Sequence, residues 1–182
     1  MISLIRRVLP LAAYIGFVSV HGLAVAEEAA VGVTERGQGD PIVFIPGLNS
    51  GEETFDTVCD ALEGSYRCLL LELPGFAGRD PVDTGGAFLE PMRDAVIATL
   101  QQRGIDNATL VGHSLGGTLS LMIALEAPGL TRELVLIDAL PFYPAAQFAA
   151  ATVDVMRPQA EALERQMASQ SDEAFYAAAV QN

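Results

Sequence analysis

The chain has 182 residues, of which 51% are hydrophobic and 18% charged. This composition excludes a disordered or low-complexity protein, and the length suits one domain with a real core. All ten basic residues are arginine, set against 23 acids for a formal charge of -13. No nucleic-acid partner is expected, because phosphate neutralisation needs basic patches.

Residues 1–26 read as a secretory signal peptide. Arg6 and Arg7 form a positive start, residues 8–20 are nearly all apolar, and Ala24-Val25-Ala26 is a small-residue cleavage site before Glu27 and Glu28. Pro10, Gly16 and His21 interrupt the apolar run, so cleavage is expected rather than a stable membrane anchor. The expected location is periplasmic or secreted. With His21 in the leader, His113 is the one histidine of the remainder. Export permits a disulfide, and Cys59 and Cys68 leave two readings open: a bridge across a helix–strand connection, or two buried free thiols. Two cysteines and one histidine without close spacing are a poor zinc set, so no metal is expected.

After the leader, residues 31–35 alternate and suggest an edge strand. Residues 41–45 are a short β-forming apolar run that stops at Pro46-Gly47. Residues 54–62 read as a helix with Phe55, Val58, Cys59 and Leu62 on one face. A second strand over 67–73 ends at Pro74-Gly75, and a Gly- and Pro-rich loop follows. Residues 88–103 are helical, with Leu89, Met92, Val96 and Leu100 in register. A third strand over 108–112 leads into a helix over 115–127, which Pro128-Gly129 stops. A fourth strand covers 133–137. Continuous apolar runs alternating with helices predict a mostly parallel α/β sheet whose strands are covered on both faces. Residues 144–182 are rich in Ala and Gln and read as helices with no further strand.

The chemistry concentrates at Gly112-His113-Ser114-Leu115-Gly116, a G-x-S-x-G motif between a strand and a helix. A sharp turn there lifts the Ser114 hydroxyl above the sheet edge. Side chains at 112 and 116 would collide with neighbouring backbone. The N–H of Leu115 falls at a helix N-terminus, where it can stabilise an oxyanion. His113 reads as an elbow residue packed under the turn, with its side chain pointing away from the hydroxyl.

From about residue 39 onward the chain resembles the α/β-hydrolase superfamily, of the single-domain serine esterase type. The resemblance rests on Pro41-Ile42-Val43-Phe44-Ile45-Pro46-Gly47-Leu48, Leu73-Pro74-Gly75-Phe76-Ala77-Gly78, the Ser114 motif, and Leu134-Val135-Leu136-Ile137-Asp138, in that order and spacing. It implies the α/β-hydrolase fold, with the N-terminal part of the core over 27–143 and a helical lid or cap segment over 144–182. It implies Ser114 as nucleophile and the N–H of Leu48 as second oxyanion donor beside Leu115, although Pro46-Gly47 stands where many members have His-Gly. Asp138 ends the fourth strand, where some relatives carry the triad acid; Glu72 ends the second and reads as a loop-bracing carboxylate. Phe142, Tyr143 and Phe148 are candidate apolar lining for an acyl pocket.

The family order of Ser, acid and then His does not close here, because no histidine follows Ser114. In the family, two further strands after the lid normally supply acid and base, so the chain reads as the N-terminal portion of a longer enzyme, truncated after the start of the lid. The expectation is an exported serine hydrolase for small-molecule carboxylic esters or related acyl bonds, inactive as the 182-residue chain for want of a base. The alternative is a non-catalytic binding protein on the same fold. No cofactor is implied, since neither a dinucleotide fingerprint nor a phosphate-binding loop is present. Oligomeric state is not readable.

Overall fold

In the computed structural model, which describes residues 31–82, 88–169 and 171, the apolar runs read from the sequence are strands. They are β1 (Gly32–Gly37), β2 (Asp40–Ile45), β3 (Tyr66–Glu72), β4 (Ala108–His113) and β5 (Thr131–Ile137). The helices between and after them are α1 (Asp56–Leu62), α2 (Leu89–Gln102), α3 (Leu115–Glu126), α4 (Tyr143–Gln147) and α5 (Val153–Ala168). The leader, the tail over 172–182 and the glycine pair Gly85-Gly86 lie outside the described residues.

The sheet order is β1-β3-β2-β4-β5, with β1 antiparallel to β3 and the other neighbours parallel. This is the expected α/β-hydrolase fold class, a mostly parallel sheet with flanking helices. The step from β2 to β3 runs one way along the sheet, and the steps to β4 and β5 run the other. Right-handed crossovers therefore put α1 on one face and α2 and α3 on the opposite face.

Side-chain alternation then builds two cores. Val43, Ile45, Leu69, Leu71 and Leu110 meet Met92, Val96, Leu100, Leu119 and Ile123 on the α2–α3 face. Ile42, Phe44, Cys68, Leu70 and Val111 meet Phe55 and Cys59 on the α1 face. There the Phe44 and Phe55 rings stack tilted, with centroids 5.1 Å apart.

One expectation needs correction, and one strand stands apart. The helix over 54–62 begins as a 3-10 turn, Glu52–Phe55, before α1. The tighter winding shifts the phase, so Phe55 and Cys59 point inward while Val58 is exposed. Strand β5 is not covered on both faces: Val135, Leu136 and Ile137 are 44%, 41% and 43% exposed. Among the described residues its one strand neighbour is β4, and Leu134 is its partly buried contact with the α2–α3 core.

Charged groups tie the edges. Arg67 makes a two-pronged contact to Glu35 across β1 and β3, at 2.7 and 3.0 Å. Arg132 of β5 reaches Asp40 at 2.8 Å and donates to the Thr109 hydroxyl at 3.0 Å. Glu72 braces the loop after β3 as expected, accepting from Arg79 at 3.1 Å.

Cys59 and Cys68 are both buried and both free, so of the two readings the structure carries the thiols and not the bridge. The Cys68 thiol lies 3.9 Å from the Cys59 carbonyl, and Arg36 Nε donates to Cys59 Sγ at 3.1 Å. Burial, and then the contact with Cys59, pushes the Cys68 thiol up to about 12.

Candidate active site

The loops leaving β2 and β4 diverge to opposite faces of the sheet, which opens a crevice beyond the C-terminal ends of these two adjacent strands. Ile45 pairs with Gly112, so Pro46-Gly47-Leu48 runs out beside His113 and Ser114. Ser114 sits between β4 and α3 with φ 50° and ψ -116°, a backbone that a side chain adopts at a cost of about 1–3 kcal/mol. Hydrogen bonds hold it there. The Ser114 N–H donates to the Ile137 carbonyl at 2.9 Å, and the Ser114 carbonyl accepts from Gly117 and Thr118 at 3.0 and 3.2 Å.

The surrounding glycines are sterically required, as expected. A Cβ at Gly112 would come within 2.5 Å of Ser120 Oγ and press on the Gly116 backbone. A Cβ at Gly116 would run into the carbonyl of Ile45 and come within 2.6 Å of that of Pro46. The helix start can thus lie directly against the end of β2. At Gly47 a Cβ would be 3.0 Å from His113 Nδ1 and 3.3 Å from Ser114 Cβ. His113 therefore packs beneath the loop after β2, where its Nδ1 is buried without a hydrogen-bond partner among the described residues.

A cavity of about 470 Å³ opens over Ser114, lined by Leu48, Ser114, Leu115, Thr118, Asp138, Leu140 and Tyr143. It brings together five residues singled out from the sequence: Leu48, Ser114, Leu115, Asp138 and Tyr143. Helix geometry gives the N–H of Leu115 no intrahelical acceptor, at the positive end of the α3 dipole. Asp138 takes φ 49° directly after β5, a left-handed turn that Asp tolerates better than most residues.

Of the candidate aromatic lining, Tyr143 reaches this cavity. Phe142 faces a different one of about 330 Å³, shared with Val153 and Met156 of α5. Phe148 lines neither and is exposed. It follows the last turn of α4 in extended backbone, which carries it away from the site. Thr118 and Leu140 were not foreseen. Thr118 lies four residues after Ser114 on the face that rises over the elbow, so helical spacing was the available signal. Leu140 belongs to an irregular segment that no periodicity marks. Among the described residues no group of three or more His, Cys, Asp or Glu could hold a metal ion.

Residues 42–181 match the profile of the Alpha/beta hydrolase family. A Pseudomonas 2-hydroxy-6-oxononadienedioate/2-hydroxy-6-oxononatrienedioate hydrolase is 30% identical over 117 residues, covering 59% of this chain and 40% of that protein. The sn-1-specific diacylglycerol lipase of Xenopus laevis is 33% identical over 107 residues, covering 57% and 33%. Among solved structures, an esterase from Exiguobacterium antarcticum superposes with a TM-score of 0.56 at 26% identity, covering 60% of this chain and 41% of that one. The chain spans less than half the length of each of these relatives.

Proposed function

Because the chain belongs to the alpha/beta hydrolase family, we propose that its cavity is the acyl site of a carboxylic ester hydrolase with Ser114 as nucleophile. The observation that carries this reading is Ser114 itself, held at φ 50° by hydrogen bonds at the floor of the cavity. A cost of that kind is sustained at positions where a side chain must be presented. Ser114 Oγ bonds to the acyl carbon, and the carbonyl electron pair moves onto oxygen. The N–H groups of Leu48 and Leu115 stabilise the oxyanion. The tetrahedral adduct then collapses, expels the alcohol and leaves an acyl-Ser114 ester, which water hydrolyses.

Both steps need a base to take the hydroxyl proton and return it to the leaving group. No histidine follows Ser114, and His113 is committed beneath Gly47. The 182-residue chain holds nucleophile, oxyanion donors and cavity, and is inactive toward esters by itself. Asp138, on the cavity wall, stands where an acid could orient an incoming imidazole. The protein is exported, with residues 1–26 as its leader. Tyr143, at the start of α4, closes one side of the acyl site. The second reading, ligand binding without catalysis, draws on the missing base, whereas the strained Ser114 favours the first.

Hydrolysis of p-nitrophenyl butyrate by the 182-residue chain should stay near background in plain buffer. It should rise above the imidazole blank when imidazole is added, and Ser114→Ala should abolish that rise. Fast turnover without imidazole would overturn the missing base, and indifference to Ser114→Ala would overturn the nucleophile. For the leader, intact mass after expression in an exporting bacterium should begin at Glu27; retention of Met1 would refute cleavage.

A further inference from the structure

We propose that Asp138 makes the Ser114 cavity selective for charge, so that esters carrying an ammonium group are taken in preference to neutral ones and carboxylate-bearing esters are disfavoured. The inference rests on the reading of this cavity as an ester site and names the substrate class that the site prefers.

Among the described residues, Asp138 is the one charged side chain in the cavity wall. Leu48, Leu115 and Leu140 are apolar, and Tyr143 adds an aromatic ring. Among the described residues no arginine lines the cavity and none pairs with Asp138. Its charge is therefore not compensated within the wall. Asp138 is exposed at the cavity wall, so solvent screens its charge in part and leaves a moderate field at the site. The formal charge of -13 over the whole chain has the same sign and adds to it at long range.

Backbone geometry fixes where this charge stands. Asp138 turns left-handed at φ 49°, and the carbonyl of the residue before it, Ile137, accepts the Ser114 N–H at 2.9 Å. The carboxylate is thus anchored one residue from the group that holds the nucleophile. A substrate whose acyl carbon reaches Ser114 brings the rest of its acyl chain into the same wall. A quaternary ammonium there meets a carboxylate beside an aromatic side chain, both of which can attract it. A carboxylate there meets the like charge of Asp138 and no cation.

Three esters of matched shape test this on the 182-residue chain: ethyl 4-(trimethylammonio)butyrate, its neutral isostere ethyl 5,5-dimethylhexanoate, and monoethyl glutarate. Affinities would be read by NMR titration. The ammonium ester should bind about tenfold more tightly than the carboxylate, as expected for one partly screened charge a few ångströms away, with the neutral ester between. In Asp138→Asn the spread should shrink to about twofold or less. Asn keeps the shape and also tolerates the left-handed backbone, so the fold is preserved. An unchanged order in Asp138→Asn, equal affinities in the parent chain, or binding of none of the three by the folded protein would each overturn the proposal. Ser114→Ala should leave the charge order intact while removing imidazole-dependent turnover. Loss of the order with turnover retained sinks the charge selection alone. A retained order without any turnover sinks the ester reading and leaves a charge-selective binding cavity.

Discussion

Strands β4 and β5 lie side by side, run in the same direction and carry similarly apolar sequences, yet they live in different surroundings. In β4, Leu110 is fully buried and Val111 nearly so. In β5, Val135, Leu136 and Ile137 are each more than two-fifths exposed. The difference is one of neighbours: β4 has a strand on either side, whereas β5 has β4 alone among the described residues. The candidate site draws on both. Strand β4 delivers Ser114, and β5 delivers the Ile137 carbonyl that holds Ser114 and the Asp138 carboxylate on the cavity wall. The strained geometry of Ser114 therefore depends in part on the least protected strand of the sheet.

The largest effects should come from probing that contrast directly. Leu110→Ala should cost about 3 kcal/mol, because it removes buried methyl groups and leaves a cavity between packed layers. Leu136→Ala should cost about 1 kcal/mol or less, since much of that side chain already meets water. Urea unfolding of both variants measures the difference. Equal losses would mean that β5 is packed as tightly as β4.

A smaller effect is expected at the elbow. Ser114→Gly should be about 1 kcal/mol more stable than Ser114→Ala, because glycine adopts positive φ without strain whereas alanine keeps the cost. Thermal unfolding of the pair checks this. If alanine proved the more stable, Ser114 would be relaxed and not held.

The smallest effect lies at the far edge, in β1. The hydrogen bond from Arg67, partly opposed by burial, holds the Glu35 carboxyl below its ordinary range. A lowered native value means that the contribution is present above the unfolded-state pKa and is lost as pH falls through the native one. Both side chains are about a third exposed, so screening leaves about 0.5 kcal/mol. Glu35→Gln should lose that amount at pH 7 and nothing measurable well below the carboxylate range, by urea unfolding at each pH. A difference that persists in acid would assign the effect to packing.

Much of the fold was legible along the chain because local chemistry writes it there. Apolar β-forming runs end at Pro46-Gly47 and Pro74-Gly75, and α2 keeps Met92, Val96 and Leu100 in helical register. The elbow was legible because its glycines answer to backbone contacts that any chain making this turn must satisfy, and Gly112 and Gly116 do meet them. The inward side of α1 was misread at Val58 because one tight turn shifts the phase of a whole helix, and periodicity cannot register that.

The amino-acid order by itself determined the strand–helix alternation, the acidic character of the chain, the turn that presents Ser114 and the lack of any histidine after it. Each follows from residue chemistry acting over a few neighbouring positions. The tertiary structure alone decided that Leu48, Leu115, Asp138, Leu140 and Tyr143, drawn from three separate stretches, share one wall around Ser114. It also decided that two cysteines face the same core as free thiols. These are contacts between distant segments, set by the order of strands in the sheet and the hand of their crossovers, which no local pattern encodes.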